Sequence, residues 1–213
     1  MQHLTTTTAF FGLLASFASA QSHQQGTWQF SLGASLGVHA THYEQSYSYT
    51  LFGQDISFDD EADDAAATTT FPIEVDYGLA DRFSLGLYVE PGRYLDSADN
   101  NPNSIFLIGL SPHFYLINKD RFNLSGILDV GAGALRISDK EETVTDTYAG
   151  GHFRLGLGAS FYFGEHFGLQ VFGKYGAYSL KWRDREPDPN VDNFEATLRT
   201  SGFHFGAGVT FKL

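Results

Sequence analysis

The chain contains no cysteine, so disulfides are excluded and stability must come from packing and strand pairing. Beyond its first twenty residues it has no apolar run near the ~18 residues that a membrane-spanning helix needs. The longest, "SIFLIGL" at 104–110, has the length of a strand. Positive charge is scarce: 13 Lys and Arg stand against 25 Asp and Glu, a net charge of −12. Such a balance argues against nucleic acid as a partner. If the chain crosses a membrane, it does so as a closed barrel, because only helices and barrels satisfy their own backbone groups in lipid.

The first residues, "MQHLTTTTAFFGLLASFASAQS", read as an export signal. An apolar core runs from Ala9 to about Phe17, and Ala18-Ser19-Ala20 forms a small-residue cleavage site. Residues 1–20 are therefore expected to be a signal peptide, with 21–213 as one mature domain. No Lys or Arg precedes the apolar core, so the alternative is a buried N-terminal helix.

The last stretch, "GFHFGAGVTFKL", sets the pattern. Phe203, Phe205, Ala207, Val209, Phe211 and Leu213 alternate with Gly, His, Thr and Lys. In a strand this makes one greasy face and one small, wet face. Seven earlier segments show the same rhythm. Strands are expected at 27–40, 70–79, 83–93, 104–117, 122–136, 148–163, 167–181 and 198–213. The connections alternate between tight turns ("ADR", "NKDR", "GEH") and long acidic loops. Glu44, Asp55, Asp59, Asp60, Glu61, Asp63 and Asp64 fall in the first long loop, and Asp96 and Asp99 in the second. Asp139, Glu141, Glu142 and Asp146 fall in the third, and Asp184, Glu186, Asp188, Asp192 and Glu195 in the fourth. Short turns on one side and long loops on the other are the layout of an outer-membrane barrel.

A soluble sandwich alternates too, so the polar face decides. It is built from Gly, Ser, His and Tyr (Ser31, Gly33, Ser35 and Gly37 in the first strand) rather than from the Lys, Glu and Thr that bulk water favours. Small residues suit the crowded interior of an eight-stranded barrel. Aromatics gather where girdles belong. Trp28, Tyr77, Phe83, Phe114, Phe122, Phe161, Phe163, Phe167 and Phe211 lie toward the turns, and Phe71, Phe106, Phe153, Tyr175 and Phe203 toward the loops. Pro112 inside the fourth strand marks a bulge. Ile105 and Leu107 make that strand's inner face apolar, which leaves its register least secure. The fold class is all-β: a transmembrane eight-stranded antiparallel up-and-down β-barrel in a bacterial outer membrane, with both termini periplasmic.

In this pattern the mature chain resembles the small eight-stranded outer-membrane barrels of the OmpA/OmpX-like group. Val209, Phe211 and Leu213 match the spacing of that group's C-terminal assembly signal, which closes on an aromatic where this chain has Leu213. The resemblance implies partners in the outer-membrane lipids, lipopolysaccharide and the barrel assembly machinery. It also implies a monomer and a role in adhesion, stress resistance, envelope integrity or minor solute passage.

The interior is expected to hold Glu74, Asp76, Glu90, Asp129, Arg154 and Lys174, with Arg136 and Lys212 nearer the ends. Counting across the third loop sets Asp129 opposite Arg154. An unpaired charge in so narrow a space costs about 3–5 kcal/mol, so these groups should form a structural salt-bridge network. The function expected is non-enzymatic: an envelope or surface-interaction role through acidic extracellular loops. A narrow channel and an envelope-lipid-modifying enzyme are the alternatives. No catalytic, cofactor-binding or metal residue is assigned. Ser111 and His113 share a face, but side chains two apart stand roughly 7 Å from each other, too far for a direct hydrogen bond. His39, His113, His152 and His204 lie on four strands without zinc or copper spacing. "DDEADDAAATTT" lacks the Gly and final Glu of a calcium loop and reads as solvated.

Overall fold

The computed structural model describes residues 22–52, 54–96, 103–138, 145–183 and 193–213. The expected signal peptide and many loop acids (Asp99, Asp139, Glu141, Glu142, Asp184, Glu186, Asp188 and Asp192) lie outside them. The described residues form one antiparallel sheet of nine strands: β1 (Trp28–Leu51), β2 (Gln54–Thr70), β3 (Ile73–Ala80), β4 (Phe83–Asp96), β5 (Asn103–Lys119), β6 (Phe122–Ser138), β7 (Thr145–Tyr162), β8 (Phe167–Trp182) and β9 (Asn193–Lys212). β2 and β3 each pair with β1 and with β4, the strands from β4 to β9 pair in chain order, and β1 also pairs with β9, from Gln29 opposite Lys212 to Ser48 opposite Asn193.

Nine strands appear where eight were expected, and Pro72 is the reason. Thr70 lies opposite Ser35 and Ile73 opposite Leu32, so β2 and β3 hold one register against β1. They also hold one register against β4, with Thr70 opposite Gly92 and Ile73 opposite Val89. Proline has no N–H to give a ladder, and the strand is interrupted at Phe71–Pro72. Two backbone bonds carry the chain through the gap: Gly33 N–H to the Pro72 carbonyl at 2.9 Å and Phe71 N–H to the Pro91 carbonyl at 2.8 Å.

The first long loop is a correction. Glu44 and the acidic run from Asp55 to Asp64 are not in a loop; they extend the β1–β2 hairpin. Both faces there are polar, so no alternation signals a strand. Pairing on both edges supplies the missing drive, since β1 is paired with β2 on one side and β9 on the other. Phe58 stacks on Tyr47 at 5.3 Å and on Tyr49 at 5.7 Å across the hairpin. Asp96, Asp146 and Glu195 likewise belong to strands rather than to loops.

Pro112 also behaves differently from expectation. The β5–β6 ladder skips Ser111 and Pro112 but resumes in the same register, with Leu110 opposite Val130 and His113 opposite Ile127. The register shifts only between Tyr115 and Ile117. The missing N–H is therefore absorbed by a gap, and the extra residue is accommodated at Leu116.

The two faces separate cleanly. The outward face carries the exposed large apolar side chains, among them Leu36 (65% exposed), Leu87, Leu155 and Phe205. The buried side chains are mostly Ser, Thr, His, Tyr and charged groups. This inverts a water-soluble protein, in which apolar residues fill the interior. Aromatic pairs rim the turn end: Trp28 with Tyr77 at 4.8 Å and Phe122 with Phe161 at 4.9 Å. Tyr175 and Phe203 pair at 5.0 Å nearer the loops.

Candidate functional site: the charged interior

The enclosed side chains are stacked in layers, because every strand contributes alternate residues to the inside. At the turn end, the segment before β1 folds across the sheet mouth. Ser22 N–H bonds the Lys119 carbonyl at 3.0 Å, and the His23 ring stacks on Tyr115 at 4.1 Å. The Lys212 ammonium donates to the Ser22 carbonyl at 3.1 Å and sits 4.7 Å from the Tyr162 ring.

The central layer joins charged side chains from four strands, β4, β6, β7 and β8, with hydroxyls from β2 and β5. Asp129 on β6 accepts from Arg154 Nε at 2.8 Å, Lys174 Nζ at 2.9 Å and the Ser111 hydroxyl at 2.8 Å. Arg154 on β7 reaches Glu90 on β4 through Nη2, 2.6 Å from Oε2. The Thr70 hydroxyl bonds the other Glu90 oxygen. Asp129 and Arg154 are 0% and 2% exposed. Gly176 makes the guanidinium's path possible, since a Cβ there would lie 2.5 Å from Arg154 Cγ.

One layer toward the turns, β3 and β5 bring Glu74, Asp76 and His113 together. His113 Nε2 is 3.0 Å from Glu74 Oε1 and 3.8 Å from Asp76 Oδ1. The six residues expected inside are therefore all buried, but in two groups: Glu90, Asp129, Arg154 and Lys174 in one, and Glu74 and Asp76 beside His113 in the other.

Ser111 and His113 correct the sequence-based geometry. Their side chains hydrogen-bond directly, Oγ to Nε2 at 2.9 Å, because the imidazole leans along the strand and spans the gap between alternate positions. The arrangement is not a nucleophile relay. Ser111 and Glu74 both address the same ring nitrogen, whereas a relay needs the acid on the other one. The Ser111 hydroxyl proton is directed to Asp129, and the residue is 0% exposed.

Toward the loops, three of the four inward histidines meet although they come from three strands. His39 and His204 rings lie 4.6 Å apart, His204 Nε2 is 2.7 Å from the Tyr178 hydroxyl, and His152 stacks on Tyr178 at 5.4 Å. His152 also bonds the Tyr88 hydroxyl. Beyond them lies an apolar collar that the sequence reading missed, in which Leu107, Leu135 and Leu180 are at most 1% exposed and pack with Ile105, Leu198, Tyr94 and Tyr148. The signal was present: Ile105 and Leu107 read as apolar on an inner face. They line this collar without any register change, since Phe106, Ile108 and Leu110 face outward as read.

Comparison with known proteins places the chain. The family model for the outer membrane protein beta-barrel domain matches residues 10–211. The chain belongs to that family. This makes it a small outer-membrane β-barrel protein of a bacterial envelope. No curated protein matches it. Among solved structures, the barrel is similar to outer membrane protein AlkL determined in lipid bilayers, at 14% identity and a TM-score of 0.56, covering 90% of this chain and 92% of that one. The N-terminal β-barrel domain of Pseudomonas aeruginosa OprF matches at 14% identity and a TM-score of 0.45, covering 90% and 100%. Ail of Yersinia pestis matches at 14% identity and a TM-score of 0.40, covering 89% and 99%. At these identities the likeness speaks for the fold alone.

Proposed function

We propose that the chain is a closed barrel of eight strand positions, with β2 and β3 sharing one, that acts as a non-enzymatic envelope scaffold with a sealed interior. One observation carries the reading: the Glu90–Arg154–Asp129–Lys174 layer crosses the interior with every member at most 7% exposed. The turn-end segment and the apolar collar support it, since both fill the interior above and below that layer. With the interior filled, specificity rests on the acidic β1–β2 extension and the loops.

Residues 1–20 are removed on export in this reading, and both ends of the mature chain are periplasmic. The loop-side edge supports that orientation. Arg93 and Arg136, the latter expected inside, point outward on either side of Ser104, each directly opposite it in register, just above the apolar belt, because Leu135 takes the inward position beside Arg136. Basic side chains at this level meet the phosphates of lipopolysaccharide in the outer leaflet. The assembly machinery is the further partner, and the barrel is monomeric.

Single-channel recording in planar bilayers tests the reading. The wild-type protein is expected to give a flat trace, and an Asp129→Ala/Arg154→Ala variant to give transient openings. Regular conductance steps from the wild type would instead establish the narrow-channel alternative. Lipid A from cells with and without the gene should have the same mass spectrum; a difference would establish a lipid-modifying enzyme.

A further inference from the structure

The buried charged side chains do not balance. Among the described residues they are four carboxylates, Glu74, Asp76, Glu90 and Asp129, against two cations, Arg154 and Lys174. Both cations are engaged by Glu90 and Asp129. Glu74 and Asp76 are left with His113, whose ring carries a charge only when protonated. Two carboxylates beside a single imidazole in a water-poor interior are a costly arrangement that a proton or a further cation relieves.

The local geometry suggests what relieves it. One ligand atom from each of Glu74, Asp76 and His113 lies within 4.8 Å of the others. Neither oxygen of the buried Asp76 carboxylate has a hydrogen-bond partner among the described residues, although the side chain is 1% exposed. Between β3 and β5 runs β4, and it places Gly86 at this level, opposite Asp76 and Ser111. A Cβ at Gly86 would stand 2.5 Å from Asp76 Oδ1 and 2.7 Å from Glu74 Oε1. The missing side chain leaves open the space on which the two carboxylates converge. A cavity of about 20 Å³ adjoins Glu74 and His113, enough for one water.

We propose that Glu74, Asp76 and His113 form a binding site for one divalent transition-metal cation of the zinc class inside the barrel. The two carboxylates supply the charge that the cation cancels. The imidazole nitrogen selects against calcium and magnesium, which prefer all-oxygen shells. Ligands about 2.0–2.2 Å from zinc stand roughly 3–3.5 Å from one another. The separations of 3.0 and 3.8 Å at His113 Nε2 are near that shape, and with all three ligand atoms within 4.8 Å of one another the carboxylates close on the ion by side-chain rotation. Water from the adjoining cavity completes a fourth position. The histidines read singly gave no ligand spacing; the set becomes visible only when β3 and β5 are seen across a glycine.

The test uses untagged mature protein refolded into detergent with Zn²⁺, Mn²⁺, Mg²⁺ or Ca²⁺ present, so that access to the interior does not limit loading. Metal retained after desalting against a weak chelator is measured by plasma mass spectrometry, and folding is checked by heat-modifiable gel migration. The wild type is expected to retain about one Zn²⁺ per chain and neither Mg²⁺ nor Ca²⁺. Folded Asp76→Asn and His113→Ala variants should each lose retention at least about tenfold, in line with the loss of a ligand. Gly86→Ala keeps all three ligands but fills the space between them, and should also lower retention. No zinc in the folded wild type overturns the site. So does zinc that survives in folded Asp76→Asn, which would place it on the surface acids. The readout is independent of conductance and therefore of the sealed-scaffold reading.

Discussion

Asp129 on β6 and Arg154 on β7 are direct cross-strand partners, and the guanidinium Nε meets the carboxylate Oδ2 at 2.8 Å with neither residue open to solvent. The pair is the hinge of the central layer, because Lys174, Ser111 and Glu90 all attach to one or other member.

Removing one member leaves its partners charged and unpaired. Asp129→Ala is expected to cost about 3–5 kcal/mol, since Arg154 and Lys174 lose their shared acceptor. Urea unfolding in detergent, followed by tryptophan fluorescence, measures it. Replacing all four charged members with apolar residues of similar volume should cost much less than this single change; equal losses would show that the layer contributes packing rather than charge pairing.

The guanidinium needs the space at Gly176. Gly176→Ala puts a Cβ 2.5 Å from Arg154 Cγ and 3.3 Å from the Phe153 carbonyl oxygen. Displacing a side chain held by two acids should cost about 1–3 kcal/mol, the usual range for overpacking. Gly164 has nothing among the described residues within 4 Å of the added carbon and is the matched control, where alanine should leave stability within about 0.5 kcal/mol.

Orientation in lipid is tested at Leu36, which is exposed on the outer face opposite Phe205. Leu36→Arg should destabilise the folded barrel in phospholipid vesicles by about 2–4 kcal/mol, the penalty for arginine near the bilayer midplane. Thr197→Arg, outward-facing on β9 beyond the apolar belt, should be close to neutral. An unchanged unfolding midpoint for Leu36→Arg would show that this face does not contact hydrocarbon.

The turn-end segment responds to pH through His23. Burial holds its pKa below the usual 6.5, outweighing the backbone hydrogen bond to Ala80 that pulls it up. The released segment therefore binds a proton that the docked one does not. Docking is fully stable above pH 6.5 and weakens as pH falls toward the lowered value. Hydrogen exchange at the Ser22 and His23 amides should accelerate, after correction for the intrinsic rate, between pH 7 and pH 5. His23→Gln should remove that pH dependence, and an identical response in the variant would exclude His23 as its source.

Much of this architecture can be read from the chain alone where one face is apolar and the other small. Phe83, Leu85, Leu87 and Val89 in β4 mark their own outward face, and the order of short turns and long connections follows from composition. The acidic extension of β1 and β2 could not be read that way. With polar residues on both faces, the segment around Asp59 to Asp64 shows no period, and only pairing with β1 makes it a strand. In the interior the Asp129–Arg154 pair was legible across its hairpin, but the larger groups were not. Glu74 and Asp76 are nearest to His113 only because Gly86, on the strand between, has no side chain to separate them.

Alternation of side chains along an extended backbone is a local property, so the amino-acid order by itself determined which residues face lipid and which face inward. Which inward groups touch depends on how far each strand is staggered against the next around the ring, and that is set by all the pairings together. Counting across one hairpin sets Asp129 opposite Arg154, but the tertiary structure alone decided that Lys174 and Glu90 join that pair while Glu74 and Asp76 share His113.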